Sequence, residues 1–316
     1  MALNYYCIDA GSQYCPCHLA KTENCLICSM MQGKEICDCR WQGICVYQEY
    51  MWADGKIEER KTIPASVVEK NFLTDKLVII KIFIPLDSLV RELNQPGTFV
   101  FLRSEGSPEY YDVPLCVMDI DESNKILSFA VNIVGPKTKA IIMSDSMVLM
   151  RGPYWNGLLG LKHIKSSYSK HWLIIGRGIG QASIISVVKN LLRGNNNITV
   201  LLDSGTLKIN IAEDELKKIG VIPQEFELNN AFYKKRLREI IEKNAVDFVY
   251  SSGSDIQHMF IQNILNKLSR RIPLIASNNH QLCCGEGICG SCETLIDGEL
   301  IHFCKVQLGS ENVLGG

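Results

Sequence analysis

The chain has 316 residues, 47% of them hydrophobic and 21% charged, and a net charge of −1. That length accommodates two ordinary domains and a small appendage, and the near-neutral charge gives no reason to expect nucleic acid or a membrane surface as partner. No segment approaches the ~20 apolar residues that span a bilayer; the most apolar run, Leu77 to Leu86, is interrupted by Lys81 and Pro85. Polar residues and cysteines occupy the N-terminus where an export signal has its apolar core, so a cytoplasmic location is expected.

Residues 1–50 form a cysteine-rich segment. Eight of the fourteen cysteines fall there: an isolated Cys7, then Cys15-Pro-Cys17, Cys25-Leu-Ile-Cys28, Cys37-Asp-Cys39 and Cys45. A disulfide scaffold belongs to small secreted chains, so metal ligation in a reducing compartment is the better account. Four sulfurs make one zinc site or hold one iron–sulfur cluster. An additional iron–sulfur cluster or zinc is therefore expected on Cys15, Cys17, Cys25, Cys28, Cys37, Cys39 and Cys45, with His18 as a further candidate ligand. No spacing pairs the ligands.

Residues 58–153 read as short strands. Lys61–Lys70, Leu77–Ile84, a buried strand after the Gln95-Pro96-Gly97 turn, Val113–Ile120 and Ile126–Val134 follow one another, with a short helix over Asp87–Leu93 and a turn at Asp121–Asn124. Strands at this spacing predict a small β-barrel or sandwich.

Residues 168–278 then alternate strand and helix. His171–Ile175, Ile198–Leu202, Val246–Tyr250 and Ile272–Ala276 are apolar strands. Helices are expected after Gly180, over Ala231–Lys243, and from a Ser254 cap to about Leu268. That alternation predicts a parallel sheet with covered faces. Gly176, Gly178 and Gly180 stand where the first strand turns into its helix, a place where glycines admit a pyrophosphate to the helix N-terminus. Glycine at such a turn also serves packing alone, and Gln181 stands where the full dinucleotide fingerprint has its third glycine.

Residues 279–308 carry the most specific signal. Cys284-Gly-Glu-Gly-Ile-Cys289-Gly-Ser-Cys292, with Cys304 after eleven further residues, has the plant-type [2Fe–2S] spacing. Gly285, Gly287, Gly290 and Ser291 let the backbone curl around the sulfides and aim N–H groups at them. A hairpin with an Asp297-Gly298 turn is expected to return Cys304 to the other three. The alternative is a zinc site or free buried thiols, but zinc knuckles favour two C-x₂-C pairs and only one occurs. Cys283 reads as a bystander.

Three stretches carry a family resemblance. Pro96-Gly-Thr-Phe-Val100, the Ile174–Ala182 glycine loop and the cluster motif resemble the ferredoxin–NADP reductase superfamily over roughly residues 60–308. The nearest likeness is to the electron-transfer subunits of dihydroorotate dehydrogenase and their sulfide-dehydrogenase-like relatives. The resemblance implies a barrel holding FAD, an α/β domain for NAD(H) and a C-terminal [2Fe–2S] loop. It implies an electron-transfer oxidoreductase delivering electrons to a redox partner subunit in a hetero-oligomer. It also implies that Pro114, Leu115, Cys116, Gly135, Lys137 and Thr138 hold the flavin, with Gly176, Gly178, Gly180 and Ser252 at the nicotinamide cofactor.

The chain departs from the family at three places. Asp112 replaces a phosphate-pairing arginine, leaving Arg103, Lys137 or Lys139 to compensate; Ser252-Gly-Ser replaces Cys-Gly-Pro; and Arg177 intrudes into the glycine loop, either to neutralise a phosphate or to block the approach. Asp203 disfavours a 2′-phosphate, so NAD(H) is expected over NADP(H). The competing readings are a cluster-bearing relay without nicotinamide binding and a zinc-stabilised interaction subunit.

Overall fold

The computed structural model describes residues 5–228 and 231–309. After a two-residue strand β1 (Tyr6–Cys7), the described residues of the cysteine-rich segment contain only short helices: His18–Lys21, the 3-10 helix Met30–Gln32 and Val46–Trp52. Seven strands follow: β2 (Thr62–Thr74), β3 (Leu77–Phe83), β4 (Phe99–Ser104), β5 (Val113–Cys116), β6 (Asp119–Asp121), β7 (Ile126–Asn132) and β8 (Met147–Tyr154). They make one antiparallel sheet in the order β5-β4-β8-β2-β3-β7-β6.

The sheet curls because its longest strand bends. β2 pairs β8 through Thr62–Ser66 and β3 through Ser66–Thr74, with register irregularities at Val67/Glu69 and Phe72/Thr74 that increase its twist. The expected strand Val113–Ile120 is in fact two. Its middle residues step between the sheet edges: the Val117 N–H donates to the Thr98 carbonyl at 3.0 Å and the Met118 N–H to Ser128 at 2.9 Å. The result is a half-barrel, since no strand ladder joins β5 to β6. Inside it, Val78, Ile80 and Ile82 alternate inward with Leu127, Phe129 and Val131. Leu89, Val90 and Leu93 of the helix Asp87–Leu93 plug one end.

The second sheet comprises β9 (Leu158–Leu159), β10 (His171–Arg177), β11 (Asn197–Asp203), β12 (Gln224–Glu225), β13 (Phe248–Ser252) and β14 (Leu274–Ser277), ordered β12-β11-β10-β13-β14-β9. Five strands are parallel, as expected, but the sheet is mixed: β9, from the connection between domains, adds antiparallel at the β14 edge. In central β10, Trp172 and Ile174 pack toward the helix Ile184–Arg193. Leu173 and Ile175 pack toward the helices Ala231–Lys243 and Asp255–Leu265. Both faces are thereby covered. The last helix stops at Leu265, short of the expected Leu268; its Ser254 cap accepts from the Gln257 N–H.

The final segment is a hairpin of β15 (Glu293–Ile296) and β16 (Glu299–His302), then β17 (Val306–Gln307). Asp297 and Gly298 turn it with φ of 50° and 84°, the left-handed pair a two-residue hairpin needs. β17 pairs antiparallel with β1, a long-range contact with no sequence signal. Among the described residues no helix is long and apolar enough to cross a membrane.

Candidate functional site

The carboxyl ends of β10, β11 and β13 face β5 across a cleft of about 760 Å³, within the range of cofactor sites. Pro114, Leu115 and Cys116 line the half-barrel side; Gly178, Gly180 and Ser252 line the other. The structure thus brings together two groups of expected site residues more than 60 positions apart. Burial pushes the Cys116 thiol up to about 12, so it meets the cleft as a neutral thiol rather than a nucleophile.

The three glycines have different jobs. Gly176 lies within β10, where a Cβ would fall 2.0 Å from Ile184 Cδ1; it does not line the cleft and serves helix packing. A Cβ on Gly180 would come within 2.7 Å of the Ser252 backbone. Gly178 alone has open space beside it and a φ of +55°. It is the one glycine that lets a ligand approach the backbone. Gln181 is fully buried and braces the loop, donating to the Asp203 carbonyl and to Asn210 Oδ1, both at 2.9 Å. That bracing explains the missing third glycine. Ser252 donates its hydroxyl proton to the Gly180 carbonyl at 2.8 Å, another internal tie.

Gly135, Lys137 and Thr138 do not line this cleft. They start the helix Pro136–Met143, where Thr138 Oγ1 accepts from the Val134 and Gly135 N–H groups. Lys137 Nζ donates to the Asp112 carbonyl at 3.4 Å. Asp112 does not stand as a bare repulsive charge. Arg103 pairs with its Oδ1 at 2.7 Å and Arg151 with its Oδ2 at 3.0 Å. With Lys137 the group carries three cations against one carboxylate. The buried Arg103 Nε has no hydrogen-bond partner, and nothing lies within 4 Å of a Cβ built on Gly135. An unsatisfied guanidinium N–H beside an open helix N-terminus fits an anionic group such as a flavin pyrophosphate.

At the chain's end the four expected thiols converge. Cys304 hydrogen-bonds both Cys284 and Cys292; that bond pulls those two thiols down in pKa and pushes Cys304 up. Backbone N–H groups point at the sulfurs: Glu286 N to Cys284 Sγ and Cys304 N to Cys292 Sγ, each at 3.3 Å. Cys289 is exposed and hydrogen-bonds Ser291 at 3.5 Å. Cys283 is exposed and outside the set. Four thiols with inward N–H donors fit a [2Fe–2S] cluster, in which each iron takes two thiolates. Among the described residues no three His, Cys, Asp or Glu side chains are arranged about a single metal ion.

Two aromatic contacts that sequence reasoning missed connect cleft and thiols. His280 lines the cleft and stacks on Phe303, next to Cys304. Phe99, also at the cleft, stacks on Tyr154 at 5.2 Å, and Tyr154 donates to Glu286 Oε1 at 2.9 Å, inside the cluster loop.

The N-terminal cysteines divide. Cys15, Cys17 and Cys25 line one small pocket, and Cys28 is buried in the same local core. Cys37 and Cys39 stand together, sulfurs 3.9 Å apart, and Cys45 precedes the helix Val46–Trp52; none of these three lines that pocket. His18 pairs with Glu59 at 3.1 Å instead of joining the thiols.

No family model matches the chain. It is 26% identical over 217 residues to the dihydroorotate dehydrogenase B (NAD(+)), electron transfer subunit homolog of Thermotoga maritima, spanning 66% of this chain and 73% of that one. Over 239 residues it is 26% identical to the probable electron transfer subunit of the same name from Methanopyrus kandleri, spanning 73% and 84%. Among solved structures, the NADH-dependent reduced ferredoxin-NADP oxidoreductase matches with a TM-score of 0.60 at 21% identity, over 79% of this chain and 87% of that one. An intact type IV self-sufficient cytochrome P450 monooxygenase matches at 0.52 and 10% identity, over 78% and 40%. The chain is a distant homologue of proteins named as electron transfer subunits, and its fold is that of ferredoxin–NADP reductase-like proteins.

Proposed function

We propose that the chain is the electron-transfer subunit of an oxidoreductase, passing electrons between NAD(H), FAD and a C-terminal [2Fe–2S] cluster to a partner redox protein. The observation that carries this reading is the shared cleft: Pro114–Cys116 and Gly178 face one another, and His280 on Phe303 leads from that cleft to Cys304. A flavin, when bound, supplies the exchange between two-electron hydride chemistry and the one-electron chemistry of a [2Fe–2S] centre.

The chain's own residues do the binding and positioning. Arg103, Arg151 and Lys137 supply positive charge for a pyrophosphate, and Asp112 fixes the two guanidiniums in place. Gly178 permits backbone approach in the cleft. Cys284, Cys289, Cys292 and Cys304 hold the cluster, with the exposed Cys289 and Ile288 at the surface a partner subunit reaches. The electron transfer subunit names of the relatives support a partner of this kind.

One observation favours a second reading, a relay without nicotinamide. Asp203 stands at the end of β11, where a ribose-binding acid is found in dinucleotide sites. Its Oδ1 accepts from the Gly205 N–H at 2.8 Å, and its Oδ2 takes the Leu228 N–H at 3.0 Å and Arg177 at 3.1 Å. Both oxygens are engaged. Anaerobic purification with cofactor extraction, then titration with NADH, NADPH and dithionite, separates the readings. Flavin bleached by NADH supports the oxidoreductase. Full iron without flavin leaves the relay, and zinc without iron leaves the interaction subunit.

A further inference from the structure

We propose that Cys7, Cys15, Cys17 and Cys25 hold a second iron–sulfur cluster, built directly against the C-terminal thiol set. The proposal deepens the electron-transfer reading and rests on it. Spacing leaves Cys7 isolated in the sequence. The fold moves it: Cys7 and the other three thiols line one small pocket.

The walls suit a cluster. Leu19, Leu26, Ile27 and Val46 supply apolar surface, and Cys7 and Cys25 are each only 9% exposed.

The segment has little else to fold around. Its own core amounts to Ala20, Cys25, Cys28, Met31 and Val46, so ligand bonds supply a large share of its folding free energy.

Its position argues for a redox role over a purely structural one. Cys7 pairs with Val306 in the β1–β17 ladder, two residues after Cys304, and the Ile8 N–H donates to the Lys305 carbonyl at 2.8 Å. Leu19 of the pocket wall packs on Gly287 of the cluster loop, where a Cβ would fall 2.8 Å from Leu19 Cδ1. Four ions close the seam. Lys305 Nζ meets Asp9 at 2.5 Å and Glu286 at 2.8 Å, and Arg60 meets the same two carboxylates at 2.6 and 3.3 Å. Asp9 lies two residues from Cys7, Glu286 two from Cys284, and Lys305 one from Cys304.

The test is iron, acid-labile sulfide and zinc per chain, with electron paramagnetic resonance of the dithionite-reduced full chain purified anaerobically. The expected result is iron above the two atoms of one [2Fe–2S] cluster, with two interacting paramagnets in the reduced spectrum. Cys7→Ser and Cys17→Ser should each return iron to that of a single cluster and leave an unbroadened [2Fe–2S] signal. That surviving signal shows the variant is folded. Cys37→Ser and Cys45→Ser should keep the full iron. Unchanged iron in both Cys7→Ser and Cys17→Ser overturns the proposal, as does loss of the extra iron from Cys37→Ser, or stoichiometric zinc lost in Cys7→Ser. Cys292→Ser tests the C-terminal cluster separately, so the two readings fail independently.

Discussion

The His280 imidazole lies flat on the Phe303 ring, centroids 3.6 Å apart and planes 7° from parallel. Burial holds the imidazole's pKa down, so the pair is a neutral aromatic stack near neutral pH. It touches the cleft on one side and precedes Cys304 on the other. His280→Ala removes the ring without touching a thiol or a cation of the Asp112 cluster. Stopped-flow reduction by NADH should show cluster bleaching slowed about tenfold, with flavin reduction and iron content unchanged. Equal cluster rates in variant and parent would remove the stack from the electron path.

Arg103 offers a sharper test of the flavin site. Its Nε is buried and unsatisfied while its Nη1 is held by Asp112. Arg103→Met keeps the volume but deletes the charge-assisted bonds expected with a phosphate, each worth roughly 1.5–3 kcal/mol. Flavin retention should fall on the order of tenfold to a hundredfold, measured by reconstituting the flavin-stripped protein. Unchanged affinity would place the pyrophosphate elsewhere.

Gly178→Val carries the nicotinamide prediction. The open space beside Gly178 means the side chain meets no protein atom; it occupies the ligand's room instead, while φ of +55° adds strain of about 1–2 kcal/mol. Flavin reduction by NADH should be lost and reduction by dithionite kept. Survival of NADH reduction in this variant would mean the cofactor docks elsewhere.

These tests fall where the sequence was and was not informative. Cys284, Cys289, Cys292 and Cys304 were legible as a set because their spacing is that of plant-type [2Fe–2S] loops, and the fold places these four thiols in one loop region. The glycine loop was legible as a location but not as a division of labour. Whether a Cβ meets Ile184, Ser252 or empty space depends on packing from residues far along the chain. At Asp112 the sequence offered Arg103 and Lys137 as compensating charges, but Arg151, which reaches it from β8, carries no local signal. The β1–β17 pairing lies beyond any periodicity argument, because two-residue strands carry no alternation to detect.

Burial depresses the His258 pKa to about 4, with its nitrogens facing Ser251 Oγ at 2.8 Å and Ser277 Oγ at 3.0 Å. Asp255 partly opposes this shift. A depressed histidine contributes stability that is complete above the unfolded value near 6.5. As pH falls from there toward 4, the unfolded chain takes up a proton the folded chain resists, and up to about 3 kcal/mol is lost. Denaturant unfolding at pH 7 and pH 5 should therefore show a larger loss in the parent than in His258→Asn. Equal losses would mean that another group governs the acid limb.

The last prediction concerns Lys305, fully buried between Asp9 and Glu286. Burial opposes its charge, but the two carboxylates more than offset this and hold its pKa above the ordinary lysine value. Burial likewise disfavours the Asp9 carboxylate, and Lys305 and Arg60 reverse that as well. Lys305→Met therefore leaves Asp9 and Glu286 sharing Arg60 alone. Removing one partner of a buried ion pair costs roughly 3–5 kcal/mol, because the remaining charge stays desolvated. The loss should be local, since these ions tie the cysteine-rich segment to the cluster loop. Limited proteolysis should cut within residues 1–50 of Lys305→Met well before the α/β domain, while the parent resists at both. Adding Asp9→Asn removes the stranded carboxylate and should restore much of the protection, although each single change is destabilising. A double variant as labile as the sum of the singles would show that the four ions act independently rather than as one coupled seam.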